Sequence, residues 1–180
     1  DRLVLIAERA LEASSLRREI RQLKQRSSDA LDLLGKSSAM SQLRSTIDRV
    51  APTNSRVLIT GPSGSGKELT ARTIHAASQR EKSPFVVINA ATITPERMEE
   101  ELFGIEGEDG RIRKIGAMEE AHGGTLYIDE VADMPHGTQG KILRVLVDQT
   151  FTRVGGAGKV SVDIRILSSS ARNLEQEIAE

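Results

Sequence analysis

From Leu34 onward the chain alternates short apolar runs with amphipathic segments. RVLIT (56–60), FVVIN (85–89), TLYID (125–129) and DIRILS (163–168) are brief, rich in β-branched residues and apolar on both faces, the pattern of strands buried in a parallel sheet. Between them, apolar residues recur at helical spacing over about 38–50, 67–79, 95–102 and 137–148. Strands and helices in alternation predict an α/β fold, a parallel sheet between two layers of helices.

The N-terminal stretch has a different texture. Its first 26 residues hold seven Lys or Arg, four acids, and neither Gly nor Pro, which predicts a helix. Ala13, Leu16, Ile20 and Leu23 fall on one stripe, with Arg17, Arg18, Glu19, Arg21 and Lys24 mostly outside it. That stripe suits either packing on the chain's own domain or a short parallel coiled coil between two copies. The expected organisation is a linker and dimerisation helix over 1–33 and a nucleotide-binding α/β subdomain over 34–180.

Charge narrows the picture only slightly. A charged fraction of 28% with net charge -1 gives a mixed surface, not the single-sign field of a protein that coats nucleic acid or acidic membrane. There is no cysteine, and no apolar run is long enough to span a bilayer, so disulfides, thiolate metal sites and membrane insertion are not expected and a cytoplasmic location fits. His75, His122 and His136 lack the spacing of metal ligands. Phe85, Phe103, Tyr127 and Phe151 sit in strand or element-end positions that suggest core. Lys141, Arg144 and Arg153 form a basic group that suits either a solvated helix face or a neighbouring subunit's nucleotide.

The chemistry concentrates in GPSGSGKE at 61–68, which follows a predicted strand and opens a predicted helix. Gly61, Gly64 and Gly66 let the backbone, together with Pro62, Ser63 and Ser65, turn its N–H groups toward a phosphate. The N-terminus of the helix that continues through Leu69 adds its positive end. Lys67 then reaches the β- and γ-oxygens. Glu68 stands where a Ser or Thr hydroxyl would meet magnesium. A carboxylate can ligate that ion but also repels phosphate, and the residues alone leave its role open. GGTLYIDE (123–130) supplies a strand tip at which Asp129 is the candidate Mg2+ ligand and Glu130 the candidate base for an attacking water.

Taken in order, LLGKSSAMSQLRSTIDRVA, VLITGPSGSGKELTARTIH, PFVVINAATI, EELFG, GGTLYIDEVADMP, KILRVL, FTRVGG and VDIRILSSSARNLE resemble the central AAA+ domain of NtrC-type bacterial response regulators, from about Leu34 to the end. The resemblance implies a three-layer P-loop NTPase sheet, ATP or ADP with Mg2+ as cofactors, and Glu68 as a family trait. It places Leu34 and Gly35 by the adenine, makes Asn89 a switch that holds Glu130 away from its water, and puts Ser170 at the first sensor position. Where activators of the family carry GAFTGA for the sigma-54 polymerase, this chain reads IEGEDGRIRKI, expected as a solvated charged turn; that departure is most similar to the NtrX branch. The same resemblance implies a receiver domain addressed by a sensor histidine kinase, a homodimer through the N-terminal helix, and DNA contact through a C-terminal domain. It also implies truncation before the arginine fingers, fifth strand and helical lid, and hence little turnover. The expected function is an ATP- or ADP-binding regulatory module of a two-component transcriptional regulator. Its alternatives are an active ATPase that remodels sigma-54 polymerase and a dimerisation module with a vestigial pocket.

Overall fold

The computed structural model describes residues 33–172 and 174 of the 180-residue chain. The expected N-terminal helix, with Ala13, Leu16, Ile20 and Leu23, lies outside the described residues. The chain divides into two units, Asp1–Gly35 and Lys36–Glu180.

Chain order runs α1 (Ser38–Val50), β1 (Val57–Thr60), α2 (Lys67–Ala76), β2 (Phe85–Asn89), α3 (Pro95–Phe103), β3 (Ile105–Glu106), β4 (Ile112–Lys114), α4 (Ala117–Glu120), β5 (Thr125–Asp129), a 3-10 turn (Val131–Asp133), α5 (His136–Asp148), β6 (Thr150–Thr152), β7 (Lys159–Ser161) and β8 (Arg165–Ser170). The expected parallel sheet is present, in the order β1-β8-β5-β2. β3–β4 and β6–β7 are short antiparallel pairs.

Alternation along β5 sorts its side chains between the two helical layers. Leu126 and Ile128 join Ile166 of β8, Met98 and Leu102 of α3, and Met118 of α4 in the main core. Leu126, Ile128, Met98, Leu102 and Met118 are almost wholly buried, each stabilising the fold by roughly 1.5–3 kcal/mol relative to an exposed position. Thr125 and Tyr127 point the other way. Thr125 Oγ1 lies 2.9 Å from Nδ1 of His75 on α2. The Tyr127 ring stacks on Phe85 at 6.1 Å, and Arg72 lies over that Phe85 ring at 4.8 Å. Burial holds the His75 pKa below the usual histidine value, with a backbone hydrogen bond to Ser83 opposing the shift and Arg165 and Arg72 reinforcing it.

Two elements move by more than one residue from their expected places. β8 starts at Arg165 and runs to Ser170, two residues further than DIRILS predicted, because its ladder with β5 opens at Thr125–Arg165. Asp163 instead serves as an anchor, accepting Arg80 Nη2 at 2.7 Å. α2 stops at Ala76 because Ser78 Oγ donates back to the His75 carbonyl at 2.7 Å and closes a turn.

Two arginines, one buried and one half-buried, tie distant segments together. Arg165, 2% exposed, donates to the carbonyls of Ala51 (2.8 Å), Val50 (3.0 Å) and Ser55 (3.2 Å), satisfying the end of α1 from the sheet. Arg153, just after β6, donates through Nη1 to Glu106 of β3 at 3.0 Å and through Nη2 to Glu119 of α4. Its Nε is buried without a partner. Both the Glu119 and the Glu106 bonds favour the charged guanidinium and raise its pKa.

Candidate functional site

The phosphate loop owes its shape to backbone conformations that side chains resist. Gly64 and Gly66 have φ of 77° and 89°, in the left-handed region where glycine carries no Cβ penalty. A Cβ added at either would meet no atom within 4 Å, so the space in front of the loop is open. Ser65 N closes the turn on the Pro62 carbonyl at 3.2 Å, and Gly66 is the N-cap of α2, its carbonyl accepting Thr70 N at 2.9 Å. Pro62, Ser63, Gly64 and Ser65 are exposed, and Leu69 is half-buried one turn into α2.

Lys67 is only 8% exposed, so its ammonium needs partners. Nζ donates to the carbonyls of Gly61 (3.0 Å) and Pro62 (3.3 Å) and lies 3.1 Å from Glu130 Oε1. Glu130 has φ of 53°, a left-handed conformation that a side chain resists, and its other carboxylate oxygen accepts Ala171 N at 2.8 Å. Backbone strain at this one residue thus accompanies a carboxylate held on both sides.

Sheet register explains the neighbouring constellation. Asn89 pairs with Asp129, and Ser169 lies one step beyond the Ile128–Ser168 pair, so the three occupy one face at the C-terminal ends of adjacent strands. Asp129 Oδ1 accepts Tyr127 Oη at 2.9 Å and also Ser169 Oγ, while Oδ2 accepts Asn89 Nδ2 at 3.2 Å. Ser169 Oγ in turn accepts the Glu130 N–H at 3.2 Å. Burial, partly offset by the Ser169 bond and reinforced by Asp129, pushes the Tyr127 phenol well above its usual value and keeps it a donor.

Several expected partnerships differ. Asn89 meets Asp129 and not Glu130, because the parallel register sets those two side by side; Lys67 and Ala171 hold Glu130 instead. Glu68 turns along its own helix to Arg72, 2.7 Å away at i+4 spacing. Ser170 is buried and closes a local turn, donating to the Arg172 carbonyl at 3.1 Å and accepting Arg172 N at 3.0 Å. Leu34 and Gly35 are exposed and belong to the other unit. Residues 105–114 form a short hairpin whose tip is charged as expected, with Asp109 paired to Arg113 at 3.0 Å. Glu106, however, turns inward to Arg153. Lys141 pairs with Glu99 at 2.5 Å.

A phosphate fits this site. Open space faces the loop, the first turn of α2 presents N–H groups that have no intrahelical acceptor, and a buried ammonium sits beside it. Magnesium fits less well: Asp129 already accepts three donors and Glu68 faces Arg72. Among the described residues no group of three His, Cys, Asp or Glu is placed to hold a metal. Sequence reasoning missed Tyr127, Ser169 and the Ala171 N–H. Tyr127 was legible as the residue two before Asp129 on the same strand face, whereas Ser169 lay beyond the expected end of its strand.

A four-stranded parallel sheet with a glycine loop, a buried lysine at the following helix and a strand-tip Asp-Glu define a P-loop nucleotide-binding domain of the AAA+ type. Residues 33–180 match the sigma-54 interaction domain, and the chain belongs to that family. It is 65% identical over 179 residues to the nitrogen assimilation regulatory protein NtrX of Azorhizobium caulinodans, covering 99% of this chain and 39% of that protein. The transcriptional regulator NtrC of Escherichia coli K12 is 39% identical over 183 residues, covering 100% of this chain and 39% of its own. NtrX from Brucella abortus, solved in complex with ATP, superposes with a TM-score of 0.84 at 65% identity over 99% of this chain and 38% of that one. The same protein solved with ADP gives 0.82 at 64%, with the same shares of each chain covered. The chain therefore spans about two-fifths of the length of these relatives. Among the described residues no helix is long and apolar enough to cross a membrane.

Proposed function

We propose that this chain is an ATP- or ADP-binding regulatory module of a two-component, DNA-binding transcriptional regulator. The observation that carries the reading is the buried Lys67 ammonium, facing the open cradle of Gly64 and Gly66 at the start of α2. In this reading the loop N–H groups and Lys67 take the β-phosphate, and Ser170 reports the nucleotide state. Asn89, Asp129 and Glu130 form the polar wall beyond the phosphates. The ATP and ADP complexes of the Brucella relative support the choice of ligand. A receiver domain addressed by a sensor kinase, a DNA-binding domain, and dimerisation through residues 1–26 complete the proposal for the parent protein.

The test is calorimetry of ADP with the chain and with Lys67→Ala. Losing a charge-assisted contact of about 1.5–3 kcal/mol should weaken binding by roughly one to two orders of magnitude. Equal affinity in the two proteins would overturn the reading. A second reading, an active ATPase that remodels sigma-54 polymerase, draws on the family's description and on Glu130 beside the phosphate lysine. Glu130-dependent phosphate release by the chain would favour it.

A further inference from the structure

The strand-tip aspartate is the most heavily engaged carboxylate of the site. Three donors converge on it from three adjacent strands: Asn89 of β2, Tyr127 of β5 and Ser169 of β8. Two of those donors are fixed. Tyr127 and Ser169 are both wholly buried, and the Tyr127 ring is stacked on Phe85. Ser169 has no spare orientation either, because its single proton goes to Asp129 while its oxygen receives the Glu130 N–H.

A carboxylate offers about four lone-pair positions, so three donors leave about one. Magnesium requires near-octahedral oxygen ligation, directly or through ordered waters that themselves need acceptors. Asp129 can therefore accept about one more donor, and any further contact from a metal or its water shell must displace hydrogen bonds, those of Tyr127 and Ser169 coming from side chains that have no solvent to turn to. The residue after the phosphate lysine offers no substitute, since Glu68 is drawn away by Arg72.

We infer that Tyr127 and Ser169 are positioning residues that commit the Asp129 carboxylate to protein donors, so that the pocket takes its nucleotide through the glycine loop and Lys67 without recruiting a divalent cation to Asp129. This rests on the nucleotide reading above and adds to it that metal and nucleotide binding are uncoupled. The pocket then responds to nucleotide concentration whatever the magnesium level.

The experiment compares ADP affinity in excess Mg2+ and in EDTA for the 180-residue chain, for Tyr127→Phe, and for Tyr127→Phe/Ser169→Ala. The parent should show a ratio within about twofold between the two buffers. The double variant, with Oδ1 released, should bind at least about fivefold more tightly with Mg2+. Electron paramagnetic resonance with Mn2+ and ADP supplies a readout that a merely structural role would not move. A protein-bound Mn2+ signal is expected in the double variant and not in the parent. Tyr127→Phe alone removes only a hydroxyl and keeps the ring packing, so it should fold, and it should show an intermediate ratio if the double variant does not fold. A parent whose affinity falls about tenfold in EDTA, a bound Mn2+ signal in the parent, or variants that keep the parent's ratio would each overturn the inference. Failure of the parent to bind ADP in either buffer would instead refute the nucleotide reading, and the inference with it.

Discussion

Replacing Arg153 by Met tests what joins the hairpin at 105–114 to the rest of the domain. The guanidinium bridges Glu106 and Glu119, and the three side chains are 14%, 15% and 19% exposed. Removing the cation leaves two nearly buried carboxylates facing one another without a counter-charge. Breaking a buried pair in this way costs about 3–5 kcal/mol. Residual solvent contact lets both carboxylates recover some hydration, which places the expected loss at the lower end, about 3 kcal/mol. For a chain of this length, where each kcal/mol moves the midpoint by about 2–4 °C, the melting temperature should fall by roughly 6–12 °C. The comparison that isolates the cause is Arg153→Met combined with Glu106→Gln and Glu119→Gln, which removes the stranded charges and should recover to within about 1 kcal/mol of the parent. Calorimetric melting of the three proteins is the assay. An Arg153→Met midpoint within about one degree of the parent, or a triple variant less stable than the single one, would refute the reasoning.

Two further outcomes follow from buried groups. The His75 pKa is lowered in the fold, so the unfolded chain binds the extra proton more readily and stability rises with pH; this contribution is complete above the unfolded value of about 6.5 and is lost as pH falls below it. His75→Gln should flatten the dependence of urea-unfolding free energy between about pH 7 and 5, and an unchanged slope would remove His75 as its source. Arg165→Met should lower stability by about 2–4 kcal/mol, because three carbonyls at 50, 51 and 55 lose their buried donor. Hydrogen exchange should then show α1 loosening ahead of the sheet, and uniform protection in the variant would contradict that role.

The parallel sheet and its flanking helices were legible because each strand is a short apolar run and each helix keeps its period. Phe85–Asn89 and Thr125–Asp129 have the predicted bounds, and α1 begins and ends where its pattern does. The phosphate loop was legible for a different reason: Gly64, Gly66 and Lys67 are residue types that the conformation and the charge demand. What escaped were features set by register between distant segments. Nothing local tells that Asn89 will stand beside Asp129, since that follows from how β2 and β5 slide into place. The inward turn of Glu106 depends likewise on Arg153, 47 positions away. Ile105–Glu106 and Ile112–Lys114 are too short and too charged to announce themselves as strands, and they pair because the Gly107–Arg111 turn brings their ends together.

Under the proposed nucleotide reading, the ion pair between Lys67 and Glu130 makes ligand entry an exchange of anions. A phosphate reaching the loop finds the ammonium already bound by a carboxylate and two carbonyls, and it must take their place. Measured affinity is then the difference between two sets of contacts. The same event sets a carboxylate loose from its cation, leaving it held by the Ala171 amide and by the left-handed backbone beneath it. Occupancy of the cradle would in that reading be felt at residue 130 through competition for one shared charge.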